Sequence, residues 1–237
     1  MRVYLPDDGS DALGDSTPEI EAINAETLSP ISCPEQHREN GADVSSAAGL
    51  PVTAGDIHLY RVAGTGAYPS YETSYLVSAL DPAGGDVALL HFTAPTFPDT
   101  SSSSGGITNE EDVRYWSLCL SRINTTTTST CVADLNVNLN AQGEAWVAFA
   151  PPTPANMRAA RRNRVTLVPW VESVEDPVIL YRNHVVNPDF PNGTDSVPAF
   201  DPELPDSEQW SELCIGDYAP RGVMCTSEDF QANKCGL

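Results

Sequence analysis

From about residue 55 onward, the chain alternates short apolar runs with turn residues. The runs fall at 57–62, 74–80, 86–92, 113–119, 131–137, 145–150, 165–168 and 178–186. Each is strand-length and rich in Val, Leu, Tyr or Trp, and a succession of short runs separated by turn residues is the signature of a β-sandwich or barrel. Residues 81–85, Asp-Pro-Ala-Gly-Gly, read as a hairpin loop joining the second run to the third. The serine and glycine stretch at 101–106 reads as a flexible loop. Residues 154–164 form the helical candidate in this half, with Arg158, Arg161, Arg162 and Arg164 on a solvated face.

Before this region the pattern is different. Arg2-Val3-Tyr4-Leu5 has strand character and Pro6-Asp7-Asp8-Gly9 stops it. Residues 7–51 are rich in Asp, Glu, Ser, Pro and Gly, a composition that favours an extended acidic arm. The expected fold is therefore all-β: an antiparallel β-sandwich of jelly-roll type with an extended N-terminal arm and a disulfide-held C-terminal tail. The expected organisation is 1–51 as opening strand and arm, 52–190 as sandwich domain and 191–237 as cysteine-containing tail.

Charge narrows the partners. With 33 acidic against 12 basic side chains, the formal charge is -21. Such a chain repels phosphate backbones and anionic headgroups, so nucleic acid is not an expected partner. No stretch of about 18 apolar residues occurs, so direct membrane insertion by a helix is not expected. The expected partners are a second copy or another envelope or extracellular protein.

The six cysteines, Cys33, Cys119, Cys131, Cys214, Cys225 and Cys235, contain no C-x-x-C pair, which disfavours zinc ribbons and thioredoxin-like sites. An even, widely spaced set reads as structural disulfides of an oxidising compartment, extracellular or periplasmic. Cys119 with Cys131 is the favoured pairing, because a hairpin would join their strands. The C-terminal trio is expected to pair once within itself and to reach back once to Cys33. No secretory signal is visible after Met1; the expectation is that it has been removed or that the chain is a fragment.

Several segments resemble a family of uncharacterised secreted bacterial proteins. They are Ala94-Pro95-Thr96-Phe97-Pro98, Arg114-Tyr115-Trp116-Ser117-Leu118-Cys119, Val178-Ile179-Leu180-Tyr181-Arg182 with Asn187-Pro188-Asp189-Phe190, and Gly216-Asp217-Tyr218-Ala219-Pro220-Arg221. The opening residues 2–7 are similar to the point in such proteins where a first β domain ends, which implies a preceding half absent from this chain. The Tyr-Trp-Ser strand and the Arg182 strand are fainter likenesses to jelly-roll domains of bacterial envelope proteins. Neither likeness implies an activity. Val168-Pro169-Trp170 departs from the family's usual element.

Candidate chemistry is sparse. No Gly-x-Ser-x-Gly elbow is present. His58, His91 and His184 lie on expected strands and are the candidate metal ligands, imidazole being the commonest neutral ligand for zinc or copper; the competing role is that of half-buried strand residues with one hydrogen bond each. No cofactor is demanded, and calcium is the one that the acidic loops 81–86 and 195–206 admit. Trp170 and Trp210 are the candidate ligand-stacking residues. Arg114 and Arg182, each inside an apolar strand, are expected to be buried and paired with carboxylates, since a buried guanidinium needs a partner; the competing role is anion binding. The function expected from these features is that of a secreted structural or binding protein that assembles by strand exchange, with no enzymatic activity. The alternatives are an extracellular hydrolase or metal-dependent enzyme acting on carbohydrate or polyester, and a carbohydrate-binding module.

Overall fold

The structure is a computed structural model that describes residues 50–62, 72–100, 108, 110–122, 128–170 and 176–236. The opening strand, the acidic arm, Cys33 and the serine-glycine loop lie outside the described residues. What is described is mostly β, in two mixed sheets. The first holds β1 (Val52–Thr53), β3 (Tyr60–Arg61), β4 (Thr73–Leu80), β6 (Val113–Arg122), β7 (Thr128–Ala133) and β10 (Pro177–Val186). Their order is β1-β4-β10-β6-β7, with β3 also on β4. The second sheet holds β2 (Asp56–Ile57), β5 (Val87–Thr93), β8 (Glu144–Ala150), β9 (Thr166–Pro169) and β11 (Arg221–Cys225), ordered β2-β11-β5-β8-β9.

The pleat explains how one core forms between them. Along β10, Ile179, Tyr181 and Asn183 share a face, and their cross-strand partners are Ser78, Leu76 and Ser74 on β4 and Leu120, Leu118 and Trp116 on β6. Those apolar side chains meet Leu90 and Phe92 of β5 and Val147 and Phe149 of β8 in a single buried cluster. The second sheet is also covered on its far side. There Val87, Leu89, Ala148 and Ala150 pack under α1 (Pro154–Arg162) and α3 (Ser227–Gln231) through Ala159, Ala160 and Phe230. Burial on both faces is why β5 reads Val-Ala-Leu-Leu rather than alternating.

The expected helix is present as α1, started by Thr153, whose hydroxyl accepts from Asn156 N at 3.1 Å, and by Pro154 in the first turn. This helix carries the chain from β8 to β9, so those two strands run parallel. β1 also runs parallel to β4. The expectation of a wholly antiparallel sandwich is corrected at these two places. A helical crossover, unlike a hairpin, returns the chain in the same direction.

Three further differences are local. Residues 57–62 do not form one strand: β2 belongs to the second sheet and β3 to the first, and the chain changes sheets at His58 and Leu59. Residues 81–85 are not a hairpin loop, because β4 and β5 lie in different sheets. Asp81 accepts from Ala83 N at 2.8 Å to fix a 3-10 turn, and Gly85, at φ 143°, passes so close to the carbonyl of Cys225 that a side chain would collide with it. The segment expected to be a tail supplies β11, which lies between β2 and β5.

Cys119 and Cys131, direct partners in the β6–β7 ladder, are disulfide-bonded. Cys225 is bonded to Cys235. Cys214 is also disulfide-bonded. These bonds fit an oxidising extracellular or periplasmic setting. No helix among the described residues is long and apolar enough to cross a membrane.

Candidate functional site

The three histidines do not converge. His58 sits where the chain passes between sheets, His91 on β5 of the second sheet and His184 near the end of β10 in the first. Among the described residues no three His, Cys, Asp or Glu side chains are grouped to hold a metal ion. Each histidine instead has its own carboxylate: Glu212 for His58, Glu144 for His91 at 3.9 Å and Glu72 for His184 at 3.9 Å. The acidic loops are similarly engaged in their own turns and caps. Asp86 accepts from the backbone and hydroxyl of Ser227, and Asp201 accepts from Glu203 N.

The most developed cluster surrounds His58. Its ring lies flat on Trp210, with centroids 3.8 Å apart and planes 6° from parallel. Its Nδ1 is held by Glu212 Oε1, on the short helix α2 (Glu212–Ile215). The chain is fixed there by Ser211 N donating to Leu59 O at 2.9 Å. Trp210 also packs against the cluster that contains Tyr60, whose pKa is pushed up by burial, against the hydrogen-bonding influence of Trp210. The Nε2 of His58 makes no hydrogen bond and stays accessible, whereas Glu212 Oε2 is buried without a partner. A carboxylate on Nδ1 fixes the ring and favours the tautomer in which Nε2 can accept a proton. The arrangement can therefore serve as a general base, or as a single ligand for a soft metal.

His91 repeats the theme with less access. It leans on Trp146 at 4.3 Å and 31°, beside Glu144. Burial pulls its pKa down; Glu144 and Asp217 oppose this and Arg221 adds to it. With the folded pKa below the unfolded value of about 6.5, the unfolded chain binds the proton more tightly. Stability is therefore expected to fall as pH drops from about 6.5 through the folded pKa and to level off below it. Urea melts of His91→Asn at pH 7.5 and pH 5 should show a smaller loss on acidification than the wild type. Equal losses would remove His91 as the cause.

The other expected site residues are placed as follows. Trp170 is buried in the main core and its N–H donates to Ala150 O at 2.9 Å, so it offers no stacking surface. Trp210 is half-buried and one face is occupied by His58. Arg114, the second residue of β6, is exposed rather than buried, although Val113 before it lies in the main core. Arg182 is half-buried on β10 with its guanidinium 4.9 Å from the centre of the Tyr115 ring, and it forms no ion pair among the described residues.

The sequence reading missed Glu212, Tyr60 and Glu144. Glu212 lies 154 positions from His58, and neither Trp210-x-Glu212 nor Glu144-x-Trp146 is distinctive as a motif.

One further feature is a strand edge. β7 closes one side of the first sheet, and no strand among the described residues pairs with its far side. Its sequence, Thr-Ser-Thr-Cys-Val-Ala, contains neither charge nor proline, and Thr128, Ser129 and Cys131 are exposed. Native edges are commonly blunted by charge, proline or a bulge; β7 carries the last of these alone, a register shift against β6 between Leu120 and Ser121.

No family model matches this sequence, and no curated protein is similar to it. A solved structure, that of an uncharacterised protein from Burkholderia cenocepacia, is similar at a TM-score of 0.39 and 10% identity. That likeness covers 70% of this chain and 43% of the other. The chain thus spans less than half the length of the structure it resembles.

Proposed function

We propose that this chain is a secreted, non-catalytic binding or structural module of jelly-roll ancestry that assembles by accepting a strand on the open edge of β7. The observation that supports this reading is the edge itself, uncharged, rich in β-branched residues and cross-linked to β6 by the Cys119–Cys131 bond. An added strand would find a row of backbone donors and acceptors, the means by which β-augmentation gains affinity. The occupant offered by the sequence is Arg2-Val3-Tyr4-Leu5 of a second copy, which has strand character and a sharp stop.

Lysine at both Thr128 and Ser129 places two charges on the edge and is expected to abolish association while leaving the fold intact. Native mass spectrometry over a concentration series is the measurement. Oligomers in the wild type that vanish in the double variant, and in a variant lacking residues 2–5, support the reading. A wild type that stays monomeric at high concentration rules it out.

A second reading draws on the His58–Glu212 pair. A carboxylate-oriented imidazole with an accessible Nε2 is the acid–base half of many hydrolytic sites, and it supports an extracellular hydrolase acting on an ester or glycosidic bond. If so, Glu212→Gln and His58→Ala should each lower turnover of a chromogenic ester or glycoside by roughly 10²–10⁴-fold. Hydrolysis that survives both changes excludes this pair. The carbohydrate-binding alternative is not supported by Trp170 or Trp210, given where they lie.

A further inference from the structure

On the outer face of the first sheet, Arg182 stands in a cross-strand row between Tyr75 of β4 and Ser117 of β6. Its guanidinium lies 4.9 Å from the centre of the Tyr115 ring. The Nε is buried without a hydrogen-bond partner, while the two terminal nitrogens remain accessible and make no hydrogen bond among the described residues. Ser117, fully buried, also carries a hydroxyl without a partner. Two unsatisfied donors thus sit side by side on one face. Besides Tyr75 and Tyr115, the titratable neighbours on this face are in the next row: His184, whose Nδ1 is 2.8 Å from Thr73 Oγ1 and whose Nε2 is 3.9 Å from the carboxylate of Glu72.

A guanidinium drawn half out of water is ordinarily matched by a carboxylate. This chain has 33 acidic side chains, yet among the described residues no carboxylate meets Arg182. A purely structural arginine in so acidic a protein would be expected to hold one of them. We infer that Arg182, seated on Tyr115 beside Ser117, is a recognition point for a carboxylate supplied by a ligand, in the first instance the side chain of an acidic peptide. The planar fork accepts a carboxylate through two parallel hydrogen bonds, and the ring beneath holds the fork in place. Phosphate fits less well. It brings nearly two negative charges to a single guanidinium, near Glu72 and against a net charge of -21. The site is independent of the β7 edge and stands or falls without it.

The test uses the full chain, labelled with nitrogen-15, and follows the Arg182 Nε–H and the Tyr115 ring resonances by NMR at low salt. Four probes are titrated separately: acetyl-Gly-Glu-Gly-amide, its glutamine counterpart, sodium acetate and sodium phosphate. A saturable shift with the glutamate peptide, none with the glutamine peptide and a roughly tenfold or greater loss of affinity in Arg182→Lys is the expected result, because lysine keeps the charge but not the fork. Acetate binding as tightly as the peptide would assign the site to small free carboxylates; weaker acetate binding would assign it to a peptide. The inference is overturned if no saturable shift occurs, if the glutamine peptide binds equally, or if phosphate binds tightest. Arg182→Met supplies a check that does not depend on ligand. It should unfold in urea at the same midpoint as the wild type or a higher one, and a large drop would make Arg182 a structural residue instead.

Discussion

A variant with serine at Cys119, Cys131, Cys225 and Cys235 is expected to lose about 5 kcal/mol of stability relative to the disulfide-bonded chain. The two bonds close short loops, with sequence separations of 12 and 10. On a chain-entropy basis each contributes about 2–3 kcal/mol, so the pair approaches the lower end of the roughly 5–15 kcal/mol that holds a typical domain together. The losses should differ in place. Without Cys119–Cys131, β7 is kept in the sheet by its ladder to β6 alone, and hydrogen exchange there should rise first. Without Cys225–Cys235, the end of β11 is released from the segment that follows α3, which uncovers Val87 and Leu89. Urea denaturation monitored by tryptophan fluorescence reads the total. A four-serine variant as stable as the parent would mean that these two bonds contribute nothing to holding the fold, and the extracytoplasmic assignment would lose much of its physical support.

Much of the sheet structure was legible because its signal is local. Residues 74–80, 86–92, 145–150 and 178–186 each reappear as a strand within a residue or so, since a run of Leu, Val, Phe and Tyr of that length has few other ways to be buried. The disulfide between Cys119 and Cys131 was legible for the same reason, both residues lying on one hairpin. What failed depends on partners far along the chain. Ile57 and Leu59 are both fully buried, so 57–62 reads as one strand, and nothing local reveals that its two halves bond to different sheets. The Pro-Ala-Gly-Gly turn specifies a bend but not which sheet the next strand joins. Arg182 was named as an arginine in an apolar strand with an expected carboxylate partner, and no such pair is present among the described residues. Its lack of a carboxylate partner could be seen only once Tyr75, Ser117 and Tyr115 had been brought around it. His58 was named for its chemistry, and its Glu212 and Trp210 neighbours come from a segment that composition alone marked as a tail.

β11 is the element that the sequence concealed most fully, and Gly222 is the residue that both hides it and makes it fit. In a strand pattern glycine reads as an interruption, and exchanging it for alanine ordinarily gains about 0.5–1 kcal/mol by reducing the freedom of the unfolded chain. Here the opposite is expected. Gly222 pairs with Leu90 on one side and Ile57 on the other. A Cβ at that position would stand 2.0 Å from the backbone oxygen of Leu89 and 2.8 Å from Leu90 Cδ2. The leucine tip can move, but the carbonyl belongs to the central ladder of the second sheet and cannot. Gly222→Ala should therefore cost about 3 kcal/mol or more, reversing the usual sign. The damage should also reach the His91 cluster, because Arg221, the adjacent residue, pairs with His91 across the ladder. The measurement is a urea melt of Gly222→Ala beside Gly143→Ala. Gly143 has open space around its missing side chain and is strained only by its positive φ of 81°. A loss at Gly222 well beyond that at Gly143 identifies backbone contact as the cause. Equal losses would mean that β11 approaches β5 less closely than this packing requires.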